Sequence, residues 1–259
     1  MTACVLRVDR QDLGGSVYRF GGARGAVRWP TAAGAGLGRA GCWNFLVRVG
    51  VSPAEVDWRR LRSLPSGTIV FISLDGVVED EAERAIRERI DSGGTIVAEG
   101  DPAAWSHLFP ELFRGRSEQL DNPYAALGYA LRDRTELIAP PRWPFFAFDA
   151  LDAETRAVGR VVAISGERQT PSRAIVAPQP LAPAVVRWRS LVFLNGSPFR
   201  ALQSWLQGQE DLQPWLQWRH RLFWLDEWTS AIRALLIDCG VALPSEASSA
   251  FAPFGSTTV

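Results

Sequence analysis

Apolar and polar positions change their spacing several times along this chain, and each change predicts an element. Ala3 to Val8 is apolar and β-branched, a strand pattern. Glycine- and arginine-rich sequence runs from Gly14 to Gly41. Within it Ser16–Phe20 and Gly25–Trp29 alternate polar and apolar residues, which predicts short β pieces. Leu37 to Val49 then sets Leu37, Cys42, Phe45, Leu46 and Val49 on one side of a helix, and Gly50 stops it.

The clearest local signal follows. Thr68-Ile-Val-Phe-Ile-Ser73 is a continuous apolar run suited to a parallel strand buried on both faces, and Asp75-Gly76 ends it. From Val78 to Ile90, Val78, Ala82, Ala85, Ile86 and Ile90 recur at helical spacing, with Glu79, Asp80 and Glu81 where the helix dipole favours negative charge. Gly93-Gly94 ends that helix, and Thr95–Ala98 is a second buried strand. The unit is β-α-β and predicts a right-handed parallel crossover.

From Asp101 to Pro144 prolines interrupt the pattern, and short helices are predicted at Ala103–Phe109 and Pro123–Leu131. Val158 to Leu194 turns to β, with strands at Gly159–Ser165, Ser172–Val176, Ala184–Trp188 and Ser190–Leu194. The proline-rich stretch Ala177–Pro183 separates the second from the third. The last third is helical: Pro198–Gln207, then a long helix from Pro214 to Cys239. There Trp215, Trp218, Leu222, Leu225, Trp228, Ile232 and Leu235 step by three or four residues, and Gly240 caps the end. The pattern predicts one α/β domain over residues 1–243 and a flexible tail over 244–259. No internal repeat is present.

Composition removes some chemistries. The chain has 259 residues, and all 28 of its basic residues are arginine. Without lysine there is no Schiff-base chemistry, no P-loop lysine and no kinase strand lysine. The 28 acidic residues balance the charge, which argues against general nucleic-acid binding. Cys4, Cys42 and Cys239 are far apart, and His107 and His220 are the only histidines, so zinc sites of ordinary spacing are absent. No apolar segment is long enough to span a membrane, and Met1–Gln11 lacks the apolar core of a signal peptide. A cytoplasmic protein is the expectation.

The stretch from Asp57 to Gly100 resembles the class I glutamine amidotransferase-like superfamily, above all its ThuA-type and β-galactosidase trimerisation branches. The residues behind the resemblance are the strand Thr68–Ser73, the Asp-Gly turn, the helix that begins Val78-Glu79-Asp80-Glu81, and Asp91-Ser-Gly-Gly-Thr-Ile-Val-Ala-Glu-Gly100. A late strand ending in Leu194-Asn-Gly-Ser197 suits the same sheet. The resemblance implies a flavodoxin-like fold, mainly parallel and flanked by helices, to which the pattern adds a β region and a long C-terminal helix. True amidotransferases carry a nucleophilic cysteine just after the strand that matches Thr95–Ala98. Here that turn reads Glu99-Gly100-Asp101-Pro102, and no histidine with a downstream acid matches either. Glutamine hydrolysis is therefore not expected, and the resemblance speaks to fold rather than reaction.

Ligands of open parallel sheets bind beyond the carboxyl ends of the strands. Asp75, Gly76, Glu99, Gly100 and Asn195 are the candidate ligand-binding residues there. Asp75, Glu99 and Asp101 are the candidate catalytic set if the chain is an enzyme. Converging carboxylates can hold Mg²⁺ or Mn²⁺, or raise one pKa to make a general acid. Against this, Asp75 and Asp101 suit turn and capping roles. His107 is a base or a helix-surface residue; Tyr124 and Tyr129 line the crevice or pack. Of the eleven tryptophans, Trp205, Trp215, Trp218, Trp224 and Trp228 crowd the C-terminal helices. They form either a stripe packed in the core or an aromatic surface for a partner or a second copy. Two readings remain open: a non-catalytic domain that binds a small ligand or protein partner and self-associates, and a carboxylate-based hydrolase acting on carbohydrate.

Overall fold

The computed structural model describes residues 2–8, 16–19, 26–29, 36–74, 76, 78–120, 125–131, 134–139, 144–165, 179–207 and 221–244. In chain order the elements are β1 (Ala3–Arg7), β2 (Ser16–Arg19), β3 (Ala26–Trp29), α1 (Leu37–Arg48) and β4 (Ala54–Asp57), then a 3₁₀ turn at Trp58–Ser63. The central unit is β5 (Ile69–Leu74), α2 (Asp80–Asp91), β6 (Ile96–Gly100) and α3 (Pro102–Leu108). Next come β7 (Gly115–Glu118), β8 (Ala125–Leu131), β9 (Arg134–Ala139), β10 (Phe145–Phe148), β11 (Arg156–Ser165), β12 (Gln179–Trp188) and β13 (Leu191–Leu194). The helices α4 (Pro198–Gln207) and α5 (Arg221–Asp238) follow.

Nine strands form one sheet in the order β4-β1-β5-β6-β13-β12-β11-β8-β9. The first five run parallel. From β13 onward each neighbour is antiparallel. This is the α/β architecture the pattern predicts, and the added β region extends the same sheet. Two two-stranded antiparallel sheets, β2–β3 and β7–β10, lie outside it.

Both faces of the parallel half are covered, so its strands are apolar on both sides. Along β5, Ile69 and Phe71 join one core while Val70, Ile72 and Leu74 join the other. The first core contains residues of α1, α4 and α5, the second those of α2 and α3.

The helix α1 departs from its one-sided pattern, because all twelve of its residues are buried. Two of its polar members bond to neighbouring helices, and Arg39 pairs with Glu55 of β4. Asn44 Nδ2 donates to Gln203 Oε1 at 2.5 Å, and Arg48 Nε donates to Thr229 Oγ1 at 3.1 Å. Its glycines allow the crowding. A Cβ on Gly41 would stand 1.9 Å from the Phe199 carbonyl oxygen of α4.

The Ser92-Gly93-Gly94 signature has a double cause. Gly93 takes a left-handed conformation, with φ of 82°, to end α2. Gly94 leaves room for the Arg89 side chain, whose Nε would lie 2.0 Å from a Cβ there. The buried Arg89 guanidinium donates to the carbonyls of Leu64, Pro65 and Thr68 and so ties α2 to the segment that leads into β5.

Two predicted elements differ. The helix expected at Pro123–Leu131 is a strand over its described part. Alanine and leucine are strong helix formers, but propensity amounts to only tenths of a kcal/mol per residue, and pairing with β11 and β9 overrides it. Alternation places Leu127 and Tyr129 in the core, both 0% exposed. The proline-rich stretch before Ala184 is not a separator either, since β12 runs through Pro180 and Pro183. β13 pairs only with Val185–Trp188, so these prolines sit where no β13 partner needs their missing N–H. β4, β7, β9 and β10 carried no clear sequence signal. The strand expected at Ser172–Val176, the helical turns before Arg221 and the tail beyond Pro244 lie outside the described residues.

Candidate functional site at the ends of the parallel strands

The candidate site forms where β5 and β6 end together. Their parallel register pairs Ser73 with Glu99 and Leu74 with Gly100. Strand alternation sends Ser73 and Glu99 to the same face as Phe71 and Val97, the face covered by α1 and α4.

Glu99 is fully buried there, at 0% exposure. Its Oε2 accepts from the Phe199 amide at 2.6 Å, and its Oε1 accepts from the Arg200 amide at 2.9 Å and from Ser73 Oγ at 3.1 Å. Phe199 and Arg200 lie in the first turn of α4, where amides lack partners within the helix and the dipole favours an anion. Glu99 therefore caps a helix about a hundred residues further along the chain. Gly38 of α1 makes room, because a Cβ there would stand 1.8 Å from Ser73 Oγ and 3.1 Å from Glu99 Oε1.

Gly100 turns the chain sharply, with φ of 118°, and a Cβ on it would lie 2.0 Å from the Leu74 carbonyl oxygen. The residue after the β6 glutamate is thus confined to glycine by both conformation and space. Asp101 is the N-cap of α3, its Oδ1 accepting from the Ala103 amide at 2.9 Å, with Pro102 opening the helix behind it. Trp105 Nε1 donates to the Glu99 carbonyl at 2.8 Å, which anchors α3 to the end of β6.

Asn195 follows β13 and is also 0% exposed. Its Nδ2 donates to the carbonyls of Phe146 and Pro183, and its Oδ1 accepts from the Phe146 amide at 2.7 Å. It clamps β10 onto the main sheet. Tyr129 Oη donates to the Asn195 carbonyl. Burial first, and then the negative charge of Glu99, push the Tyr129 phenol well above its ordinary pKa, so it remains a neutral donor. Ser197, left-handed at φ 51°, donates from its hydroxyl to the Gly100 carbonyl at 3.3 Å. The turn after β13 is thereby stitched to the end of β6.

Glu99, Gly100 and the segment from Asn195 to Arg200 are brought together. Asp101 is beside them, with its carboxylate turned to α3. Gly76 is half-buried with open space where a Cβ would stand, and Asp75 lies outside the described residues. His107 is on the surface, 61% exposed, its Nε2 3.6 Å from Glu83 Oε2. Tyr124, His220, Trp215 and Trp218 lie outside the described residues. Among those described, no group of three His, Cys, Asp or Glu side chains is placed to hold a metal ion. No described helix is long and apolar enough to cross a membrane.

Burial pushes the thiols of Cys4 and Cys239 up to about 11, and Cys42 is buried as well, so none of the three resembles an activated nucleophile. Sequence reasoning missed Ser73, Gly38, Gly41 and the α4 amides as parts of this centre. The one readable signal was a pair of glycines three residues apart inside an apolar helix.

No protein-family model matches the sequence, and no curated protein matches it either. Solved structures do. Alpha-L-fucosidase isoenzyme 2 from Paenibacillus thiaminolyticus aligns with a TM-score of 0.53 at 16% identity, over 90% of this chain and 32% of its own. The exo-beta-1,4-mannosidase Op5Man5 from Opitutaceae bacterium strain TAV5 aligns at 0.45 and 14%, over 90% and 36%. A putative ThuA-like protein from Bacteroides uniformis aligns at 0.42 and 10%, over 88% and 90%. The likeness is one of fold, and this chain spans about a third of the length of the two glycosidases.

Proposed function

We propose that this chain is a non-catalytic amidotransferase-like domain that works by binding. It takes a small ligand or a protein partner at the strand-end face and associates with further copies through its tryptophan-rich C-terminal helix. The observation that carries the reading is the engagement of Glu99, whose two carboxylate oxygens are spent on Phe199, Arg200 and Ser73. A general acid or base must reach the proton it moves, and this carboxylate is enclosed. The turn Glu99-Gly100-Asp101-Pro102, where the resemblance would set a nucleophile, carries no cysteine or serine, and Gly100 within it has no room for a side chain. The fucosidase that shares the fold carries it as about a third of a longer chain, which suits an accessory role.

The test pairs assay with assembly. Purified protein is expected to turn over neither glutamine nor aryl glycosides, with or without Mg²⁺ or Mn²⁺. In sedimentation velocity it is expected to show a species heavier than the monomer as concentration rises. In a thermal-shift screen at least one sugar, nucleotide or amino acid is expected to raise its melting temperature. Glycosidase activity that disappears in a folded Glu99→Gln variant would replace this reading with the carboxylate hydrolase. A strict monomer with a flat thermal response would remove it.

A further inference from the structure

The amides that open α4 can be accounted for one by one. Pro198 has no N–H, and the Ala201 amide bonds to the Ser197 carbonyl at 3.0 Å. The two remaining donors, Phe199 and Arg200, both go to Glu99. Ser73 Oγ adds a third donor from the neighbouring strand. Ser73 is not on α4, and its hydroxyl reaches Glu99 over a glycine that leaves it room. Together these groups enclose one fully buried carboxylate, with half-buried Ser73 and Arg200 at its edge, in a site built from two strands and two helices.

We infer that Glu99 is a built-in anion: it fills, from within the chain, a carboxylate site made by the first turn of α4 and the Ser73 hydroxyl. The site's chemistry does not depend on the tether. Backbone amides at a helix N-terminus and a hydroxyl recognise any small carboxylate of the right size. In the native chain the tethered group excludes such ligands, because its effective concentration beside the amides exceeds that of any free anion. Truncation to alanine removes one methylene and the carboxyl group, which is the outline of acetate. The emptied site therefore takes acetate, and the domain regains what it lost.

The experiment compares wild type and Glu99→Ala in sodium acetate, in acetamide and in sodium chloride of matched ionic strength. In chloride the variant is expected to melt below wild type. Acetate is expected to raise its melting temperature in a saturable way, with little effect on wild type. Acetamide has the same shape without the charge and is expected to give no comparable rise. Equal responses to acetate and acetamide would mean that filling the hole suffices, and would overturn the inference. So would a folded variant that responds to neither. If the variant does not fold in chloride, the readout becomes the yield of folded protein on refolding from urea. More folded protein in acetate than in chloride supports the inference, and equal yields overturn it. Enzyme and binding module alike would show this rescue, so its failure is separate from failure of the proposed function.

Discussion

Glu99 and Phe199 belong to different elements of the sheet-and-helix framework, yet Glu99 Oε2 accepts the Phe199 amide hydrogen at 2.6 Å. This bond fixes the start of α4 against the end of β6. It also brings the Phe199 ring against Phe45 and Phe71, at centroid separations of 4.9 Å and 5.8 Å. One polar contact and one aromatic cluster thus join the sheet to α1 and α4.

Weakening that contact without removing the charge should be measurable. Ser73→Ala deletes one of the donors to Glu99 and leaves the two amides. A hydrogen bond to a charged group contributes about 1.5–3 kcal/mol, and the expected loss is about 1–2 kcal/mol in urea unfolding. A loss below about 0.3 kcal/mol would show that Ser73 does not support the carboxylate.

Gly38→Ala and Gly41→Ala reverse the usual rule for helices. In an exposed helix interior such a change gains about 1 kcal/mol. Here the new methyl groups would meet Ser73 Oγ at 1.8 Å and the Phe199 carbonyl at 1.9 Å. Both variants should be destabilised by about 2 kcal/mol or more through overpacking, read as a lower urea midpoint. Gly67→Ala, in the turn before β5 with open space where its methyl would stand, is the uncrowded control and should change little.

Arg89→Lys tests the junction below α2. Lysine cannot present the planar fork that reaches Leu64, Pro65 and Thr68 together. Only the Thr68 carbonyl is buried; left unpaired it costs about 1–3 kcal/mol, and the variant should lose about that much stability. Equal urea midpoints for lysine and arginine would count against the argument.

The thiols give a pH dependence with a definite sign. Cys4 and Cys239 have pKa values raised from 9.0 to about 11, because burial disfavours the thiolate. The folded state therefore holds these protons more tightly than the unfolded state does. Their contribution to stability is complete below pH 9 and is lost as pH rises through about 11. Urea unfolding should show stability falling across that window, less steeply in Cys4→Ala after correction for its lower baseline. At pH 8 a thiol reagent should label native protein slowly and all three cysteines quickly in denaturant.

Local chemistry by itself determined much of this protein. Runs of apolar residues set β5 and β6, helical spacing and a Gly-Gly stop set α2, and Asp101-Pro102 set the start of α3. These signals are readable because each depends on residues a few positions apart. Period-two alternation even fixes that Glu99 lies on the face of Val97, away from Ala98. What Glu99 meets on that face is another matter. Its partners lie 26, 100 and 101 residues away, and only the closing of the sheet brings them to it. Tertiary pairing also made Ala125–Leu131 a strand against its composition. The surrounding layers buried α1 on every side, including Asn44 and Arg48, whose partners are on α4 and α5. A carboxylate at a strand end reads in sequence as a reactive group in a crevice. The fold turned it inward, because two amides of α4 donate to it there and the glycine at position 38 left space for the contact.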